Sequence, residues 1–160
     1  MAIDSGRDGI RIRRGGAEDA ACLAGFNRAM AQETEGKVLD PDTALRGVEL
    51  LLAHPDRGFY LLAEADGEVR ASLMVTTEWS DWRAGTFWWI QSVYVRPAYR
   101  RRGLFRALYR HVRHLALEAG DVCGLRLYVE RDNAGAHRTY EAVGMEETAY
   151  RLWEEGFDSV

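Results

Sequence analysis

Arginine and glycine are concentrated in one short segment, VRPAYRRRGLFRAL, which spans residues 95–108. A guanidinium group makes forked contacts with oxyanions, so this segment could bind a nucleic-acid backbone or the phosphate groups of a small cofactor. The alternative is the solvated, charged face of a helix, which requires no ligand. The predicted secondary structure around the arginines helps to separate these interpretations.

The arginines of this region fall into two groups. Three of them recur at helical spacing opposite an apolar stripe, which favours a solvated face: Arg106, Arg110 and Arg113. Arg100, Arg101 and Arg102 lie in a predicted turn between a strand and this helix, just before Gly103. The first turn of a helix has unpaired N–H groups and a partial positive charge from the helix dipole. The turn is therefore predicted to bind an anion such as a phosphate.

Two motifs carry a resemblance to a known family. Val95, Pro97, Arg100 and Gly103 form a pattern that resembles the acetyl-CoA-binding motif of the GNAT superfamily of N-acetyltransferases. Phe105 stands where that motif has a small residue, and we expect its ring to turn into the helix packing. Arg101 stands where many members have glycine.

The second motif is NAGAHRTYEAVGM, residues 133–145, which is similar to the family pattern N-x-x-A-x-x-x-Y-x-x-x-G-[FM]. Asn133 is a typical N-cap residue, and Ala136 and Tyr140, four residues apart, share a helix face. A core tyrosine is the alternative for Tyr140 on its own, but the order and separation of the two motifs favour a functional role.

The resemblance implies that acetyl-CoA binds between two splayed strands, the fourth and the fifth, and that the fourth strand pairs with its pantetheine arm. The residues that the resemblance implies as cofactor-binding are Ser92, Val93, Tyr94, Val95, Arg100, Arg101, Arg102, Gly103, Leu104, Phe105, Asn133, Ala136 and Tyr140.

The implied reaction is acetyl transfer to a primary amine by direct attack in a ternary complex, with Tyr140 as the general acid. The general base stays open, because the fourth strand carries no acidic residue and Gln91 cannot accept a proton. Glu33, Glu35 and Glu78 are the candidates for the general base, either directly or through water.

The resemblance implies that residues 29–40 and 77–89 shape the acceptor pocket, and in this sequence they contain several carboxylates and, in the second segment, four tryptophans. Carboxylates and indole faces suit a cationic amine, and the resulting substrate-binding candidates are Glu33, Glu35, Trp79, Trp82 and Gln91. The alternative for the tryptophans is that they pack the hairpin or form a homodimer contact. The sequence does not distinguish a small-molecule amine from a peptide amine.

The remaining features of the chain place it among ordinary globular proteins. Its 160 residues suit a single domain over 10–160 after a flexible tail at 1–9, and the net charge of −4 does not favour a polyanionic partner. No signal peptide or membrane span is expected, which predicts a cytoplasmic protein. The two cysteines are expected to be free, buried thiols, and the histidine spacing predicts no metal site.

The predicted fold is a single α/β domain of the GNAT type, with about four helices on a mixed, mostly antiparallel sheet of six to seven strands. The predicted elements are strands at 10–13, 59–64, 69–77, 86–95, 124–130 and 147–153 and helices from 18, at 41–54, at 103–119 and at 133–143.

Two other functions remain open at this level. A GNAT-like domain could bind coenzyme A without catalysis, since the fourth strand lacks an acidic residue and Phe105 replaces a small one. A nucleic-acid-binding module could use the arginines of residues 96–113, a stretch without acidic residues. The net charge and the division of the arginines between turn and helix argue against the second function.

Overall fold

The structure is a computed structural model that describes residues 9–157, in two compact units divided after Tyr128. The first eight residues of the predicted tail lie outside the described residues. The helices and strands are β1 (Arg11–Arg14), α1 (Ala20–Glu35), α2 (Pro41–Leu52), β2 (Gly58–Ala65), β3 (Glu68–Ser80), β4 (Gly85–Val95), α3 (Leu104–Ala119), β5 (Val122–Leu127) and α4 (Ala134–Ala142).

The first unit is built on one sheet with the strand order β1-β2-β3-β4-β5. The first four strands pair antiparallel, whereas β4 and β5 are parallel because α3 connects them as a crossover. Tyr60, Leu61, Leu62 and Ala63 in β2 are all buried, so both faces of the sheet are covered.

Helices α1 and α2 cover one face of the sheet. Leu23 of α1 and Val48 of α2 pack in one buried cluster with Tyr60 and Leu62 of β2. Asp40 begins α2 by accepting a hydrogen bond from the Thr43 amide at 2.8 Å, as its N-cap position predicts.

Helix α3 packs on the sheet through the apolar stripe that the sequence predicts. Leu104, Leu108 and Val112 are buried, while Arg106 and Arg110 on the other side are exposed. This outcome confirms the division of the arginines into a turn group and a solvated helix group.

The prediction of six to seven strands was wrong, because the described residues form five. Residues 147–153 form no strand there, and the side chains of Tyr150, Leu152 and Trp153 are exposed. Leu152 and Trp153 are adjacent, so the segment does not have the strict alternation that gives a strand one apolar face. Cys123 is also exposed rather than buried, whereas Cys22 is half-buried, and both thiols are free.

Candidate active site

The end of β4 differs from the rest of the sheet. Within the described residues, β4 pairs with β5 only from Thr86 to Ile90 and continues to Val95 without a partner on that side. The register against β3 shifts over the same stretch, and Ser92 has a φ of 50°. A bulge of this kind turns main-chain groups out of the ladder. Residues 91–95 therefore present backbone donors and acceptors at the β5 side of the strand.

The turn after β4 leads directly into α3, as predicted. Arg101 and Gly103 have φ values of 63° and 83°, and Gly103 is the N-cap of the helix. No side chain caps α3 in the described part of the chain, whereas Asp40 caps α2 and Asn133 caps α4. The N–H groups of the first turn of α3 are therefore available to an anion.

The three arginines of the turn have different surroundings. Arg100 donates from Nε to the Val95 carbonyl at 2.9 Å and pairs through Nη2 with Oε2 of Glu33 at 2.6 Å. The Arg102 guanidinium lies over the Tyr99 ring, 4.9 Å from its centroid, and Arg101 is exposed. Arg100 thus connects the end of β4 to the last turn of α1.

Phe105 is half-buried, and its ring centroid lies 6.1 Å from that of Tyr109, one turn further along α3. Its ring therefore takes part in helix packing, as the sequence predicts. Leu104 is buried at 2% exposure, so its side chain belongs to the core and only its backbone amide is offered at the helix N-terminus.

Each acidic candidate forms an ion pair with a basic side chain. Glu33 pairs with Arg100, Glu35 pairs with Lys37 at 2.5 Å, and Glu78 pairs with Arg126 at 2.6 Å. All three carboxylates are exposed to solvent. The structure thus places two of them, Glu33 and Glu78, next to arginines whose positions were not linked to them by sequence.

The register of the sheet places several polar and aromatic side chains on the face that α1 and α2 cover in part. Glu78 is opposite Phe87 and Thr76 is opposite Trp89, and these cross-strand partners share a face. Gln91 donates from Nε2 to Oγ1 of Thr76 at 2.6 Å.

Two residues of the β5 region extend this face and were not singled out by sequence. Arg126 lies 3.6 Å from the centroid of the Phe87 ring, and Tyr128 lies against Trp89 with ring centroids 4.6 Å apart. No local signal identifies them, because only the parallel register of β4 and β5 brings them to this position. Together they form an aromatic surface that carries an arginine–glutamate pair.

The two tryptophans predicted to bind the acceptor lie elsewhere. Trp79 alternates with Glu78 along β3 and so projects from the opposite face, at 64% exposure. Trp82 is in the turn between β3 and β4 at 87% exposure. Neither is brought together with Gln91 and Trp89.

The second unit contains the other motif. Oδ1 of Asn133 accepts a hydrogen bond from the Ala136 amide at 3.1 Å, which confirms Asn133 as the N-cap of α4. Tyr140 is half-buried in the last turn of α4, and burial raises the pKa of its phenol. Gly144, with a φ of 91°, follows the helix end as predicted.

Residues 9–157 contain neither a metal-binding cluster nor a membrane-spanning helix. No cluster of three or more histidine, cysteine, aspartate or glutamate side chains has the arrangement of a metal site within this range. Within the same range, no helix combines the length and apolar character that crossing a membrane requires.

Comparison with known proteins agrees with this geometry. A solved structure described as "a possible acetyltransferase from Clostridium difficile 630" is 41% identical, with a TM-score of 0.87 over 94% of this chain and 99% of that one. A predicted acetyltransferase from Clostridium acetobutylicum, solved with acetyl-CoA, is 16% identical, with a TM-score of 0.74 over 91% and 96% of the two chains.

A third solved structure is AAC(6')-Iy in complex with the bisubstrate analogue CoA-S-monomethyl-acetylneamine. It is 18% identical, with a TM-score of 0.75 over 93% of this chain and 99% of that one, a likeness that shows the fold. No curated protein sequence is a significant match to the chain.

A family model described as "Acetyltransferase (GNAT) family" matches residues 25–145. This range contains both motifs, the bulged end of β4 and the uncapped N-terminus of α3. The chain therefore belongs to the GNAT acetyltransferase family.

Proposed function

We propose that this protein is an N-acetyltransferase that transfers an acetyl group from acetyl-CoA to the primary amine of a small molecule or a peptide. The main support for this proposal is the structure of the junction between β4 and α3. There, a strand end without a β5 partner is followed by a helix whose first-turn N–H groups lack a side-chain cap, within the described residues.

The residues of this junction fit acetyl-CoA. The amides of Gly103, Leu104 and Phe105 would hold the pyrophosphate, since phosphate oxygens bind first-turn N–H groups directly. Main-chain groups of residues 92–95 would pair with the pantetheine arm. Acetyl-CoA, when bound, supplies the acetyl group as a thioester.

The chemistry that remains for the chain is positioning, charge stabilisation and proton transfer. A β4 amide next to the reacting carbonyl would donate a hydrogen bond to the oxygen on which negative charge develops. Tyr140 is suited to protonate the departing thiolate, because its raised pKa keeps the phenol protonated at neutral pH. Glu33 and Glu78 remain the candidates that accept the amine proton.

The acceptor would bind on the surface formed by Trp89, Tyr128, Phe87 and the Glu78–Arg126 pair. Aromatic faces attract cations, and a carboxylate adds an ion pair. This surface supports an amine acceptor and replaces Trp79 and Trp82 as the proposed location of the amine.

One experiment tests the proposal. The protein is mixed with acetyl-CoA and a panel of amines, and free thiol release is followed together with the melting temperature. Acetyl-CoA at about 100 times its dissociation constant would stabilise the fold by about 2.7 kcal/mol. No stabilisation by acetyl-CoA contradicts the proposal, and stabilisation without thiol release for any amine favours a coenzyme A-binding domain that is not an enzyme.

A further inference from the structure

Arg100 links the proposed cofactor turn to α1. Its guanidinium donates to the Val95 carbonyl at the end of β4 and pairs with Glu33 in the last turn of α1, 67 positions earlier in the chain. The side-chain exposures of Arg100 and Glu33 are 44% and 39%, so water reaches both charged groups. In this conformation a protein carboxylate already pairs with Arg100, the first of the three arginines in the turn before α3.

The ion pair is weak enough for a ligand to replace. Exposed pairs contribute only about 0–1 kcal/mol, because solvent screens them and both side chains lose freedom. A pyrophosphate carries more negative charge than a carboxylate and accepts forked contacts from a guanidinium. A pyrophosphate bound at the start of α3 would therefore compete with Glu33 for Arg100.

Glu33 also lies at a position on α1 where the helix dipole disfavours a negative charge. It lies in the last turn of the helix, where the carbonyl ends give the helix dipole a partial negative charge. A carboxylate there is stabilised by a neighbouring cation, and Arg100 is that cation in the structure. Without Arg100 beside it, the Glu33 carboxylate would be stabilised by solvent alone.

We propose that Glu33 is an exchangeable partner of Arg100: acetyl-CoA takes Arg100 from Glu33, and the Glu33 carboxylate is released into solvent. This inference rests on the proposed function. Glu33 thus competes with the cofactor for Arg100 and lowers the affinity for acetyl-CoA.

Calorimetric titration with acetyl-CoA tests the competition. Glu33→Gln keeps the size of the side chain but removes its charge, so acetyl-CoA should bind about two- to fivefold more tightly than to the wild type. Glu35→Gln is the matched control, since Glu35 lies two residues further on and pairs with Lys37 rather than Arg100. Its affinity for acetyl-CoA should be unchanged.

A double-mutant cycle separates this effect from a general loss of negative charge. In an Arg100→Met background, Glu33→Gln should leave acetyl-CoA affinity unchanged, because no guanidinium remains for which to compete. Equal tightening with and without Arg100 would overturn the inference, as would unchanged or weaker binding in the Glu33→Gln single variant. A wild type that does not bind acetyl-CoA would instead contradict the proposed function itself.

The release of Glu33 has its own readout. Carboxylates are labelled with methylamine and excess carbodiimide, and the labelled peptides are analysed by mass spectrometry with and without acetyl-CoA. Glu33 should be labelled at least twofold faster when acetyl-CoA is present, while Glu35 serves as the internal reference. A Glu33 rate that is unchanged or slower relative to Glu35 would show that the carboxylate is not released.

Discussion

Tyr140 is the residue whose environment suits an acid. Burial raises the pKa of its phenol above the usual value of about 10, so the group stays protonated through the neutral range. Tyr140→Phe should lower kcat about tenfold or more and change acetyl-CoA affinity little, as measured by thiol release and calorimetry. The wild-type rate should show no loss from tyrosine ionisation through the neutral range and up to about pH 9. An unchanged kcat in the phenylalanine variant would exclude the role.

Arg101 has a backbone conformation that glycine adopts more easily. Its φ of 63° lies in the left-handed region, which costs a non-glycine residue about 1 kcal/mol or more. Arg101→Gly should therefore raise the free energy of unfolding by about 0.5–1 kcal/mol. Arg102→Gly is the control and should not stabilise, since Arg102 is not among the described residues with positive φ. A lower melting temperature for Arg101→Gly would contradict the prediction.

The sequence identified single residues better than it identified their partners. The caps Asp40 and Asn133 and the packing of Phe105 were predictable, because each depends on neighbours within about four positions. The Glu33–Arg100 pair joins positions 67 apart, and the Glu78–Arg126 pair joins positions 48 apart. Such pairs depend on strand register and helix docking, which periodicity does not encode.

Among the elements, long and strongly patterned segments were predicted best. The strand predicted at 86–95 is β4 at Gly85–Val95, and the helix predicted at 103–119 is α3 at Leu104–Ala119. The strand predicted at 147–153 is not formed, because a strand exists only where a neighbour pairs with it. The alternation along β3 sends Trp79 and Glu78 to opposite faces of the sheet, and the predicted acceptor site had grouped the tryptophans with Gln91 on the Glu78 face.

The connection between β1 and α1 depends on one buried carboxylate. Asp19 accepts two hydrogen bonds from Arg13 and one from the Gly16 amide, all at 2.8 Å, and it is 6% exposed. Arg13 also pairs with Glu64 of β2 at 2.5 Å, so the carboxylate ties the start of α1 to two strands.

Asp19→Asn should destabilise the fold by about 2 kcal/mol, because the partly buried Arg13 guanidinium loses one of its two carboxylate partners and keeps only Glu64. The hydrogen bonds from Arg13 lower the pKa of Asp19 below its unfolded value of about 3.9. Its contribution is therefore present above pH 4 and is lost as the pH falls through the lower folded value. Urea unfolding between pH 7 and pH 2 should show a flatter stability profile for Asp19→Asn than for the exposed control Asp42→Asn. Parallel profiles would contradict this role.

At the scale of the whole molecule, the two exposed tryptophans of the β3–β4 hairpin are the feature that the proposed reaction does not use. Trp79 and Trp82 are 64% and 87% exposed, and Trp79 projects from the sheet face opposite Glu78. Large exposed aromatic side chains close together on one hairpin are typical of protein contact surfaces. Their position favours a contact between two copies of the chain over a role in amine binding.

A homodimer contact through these tryptophans predicts that the wild type sediments as a dimer and that the double variant Trp79→Ser, Trp82→Ser sediments as a monomer at the same concentrations. Neither side chain belongs to the described core, so the substitutions should not destabilise the monomer. Any decrease in melting temperature should be limited to the stability that the dimer contact contributes. Acetyl-CoA affinity should stay the same, because the hairpin is separate from the junction of β4 and α3. Trp153→Ser, which removes a 91% exposed tryptophan from the second unit, is the matched control. A monomeric wild type, or a double variant that stays dimeric, would contradict the homodimer contact, and weaker amine binding by the double variant would instead support a role of the tryptophans in acceptor binding.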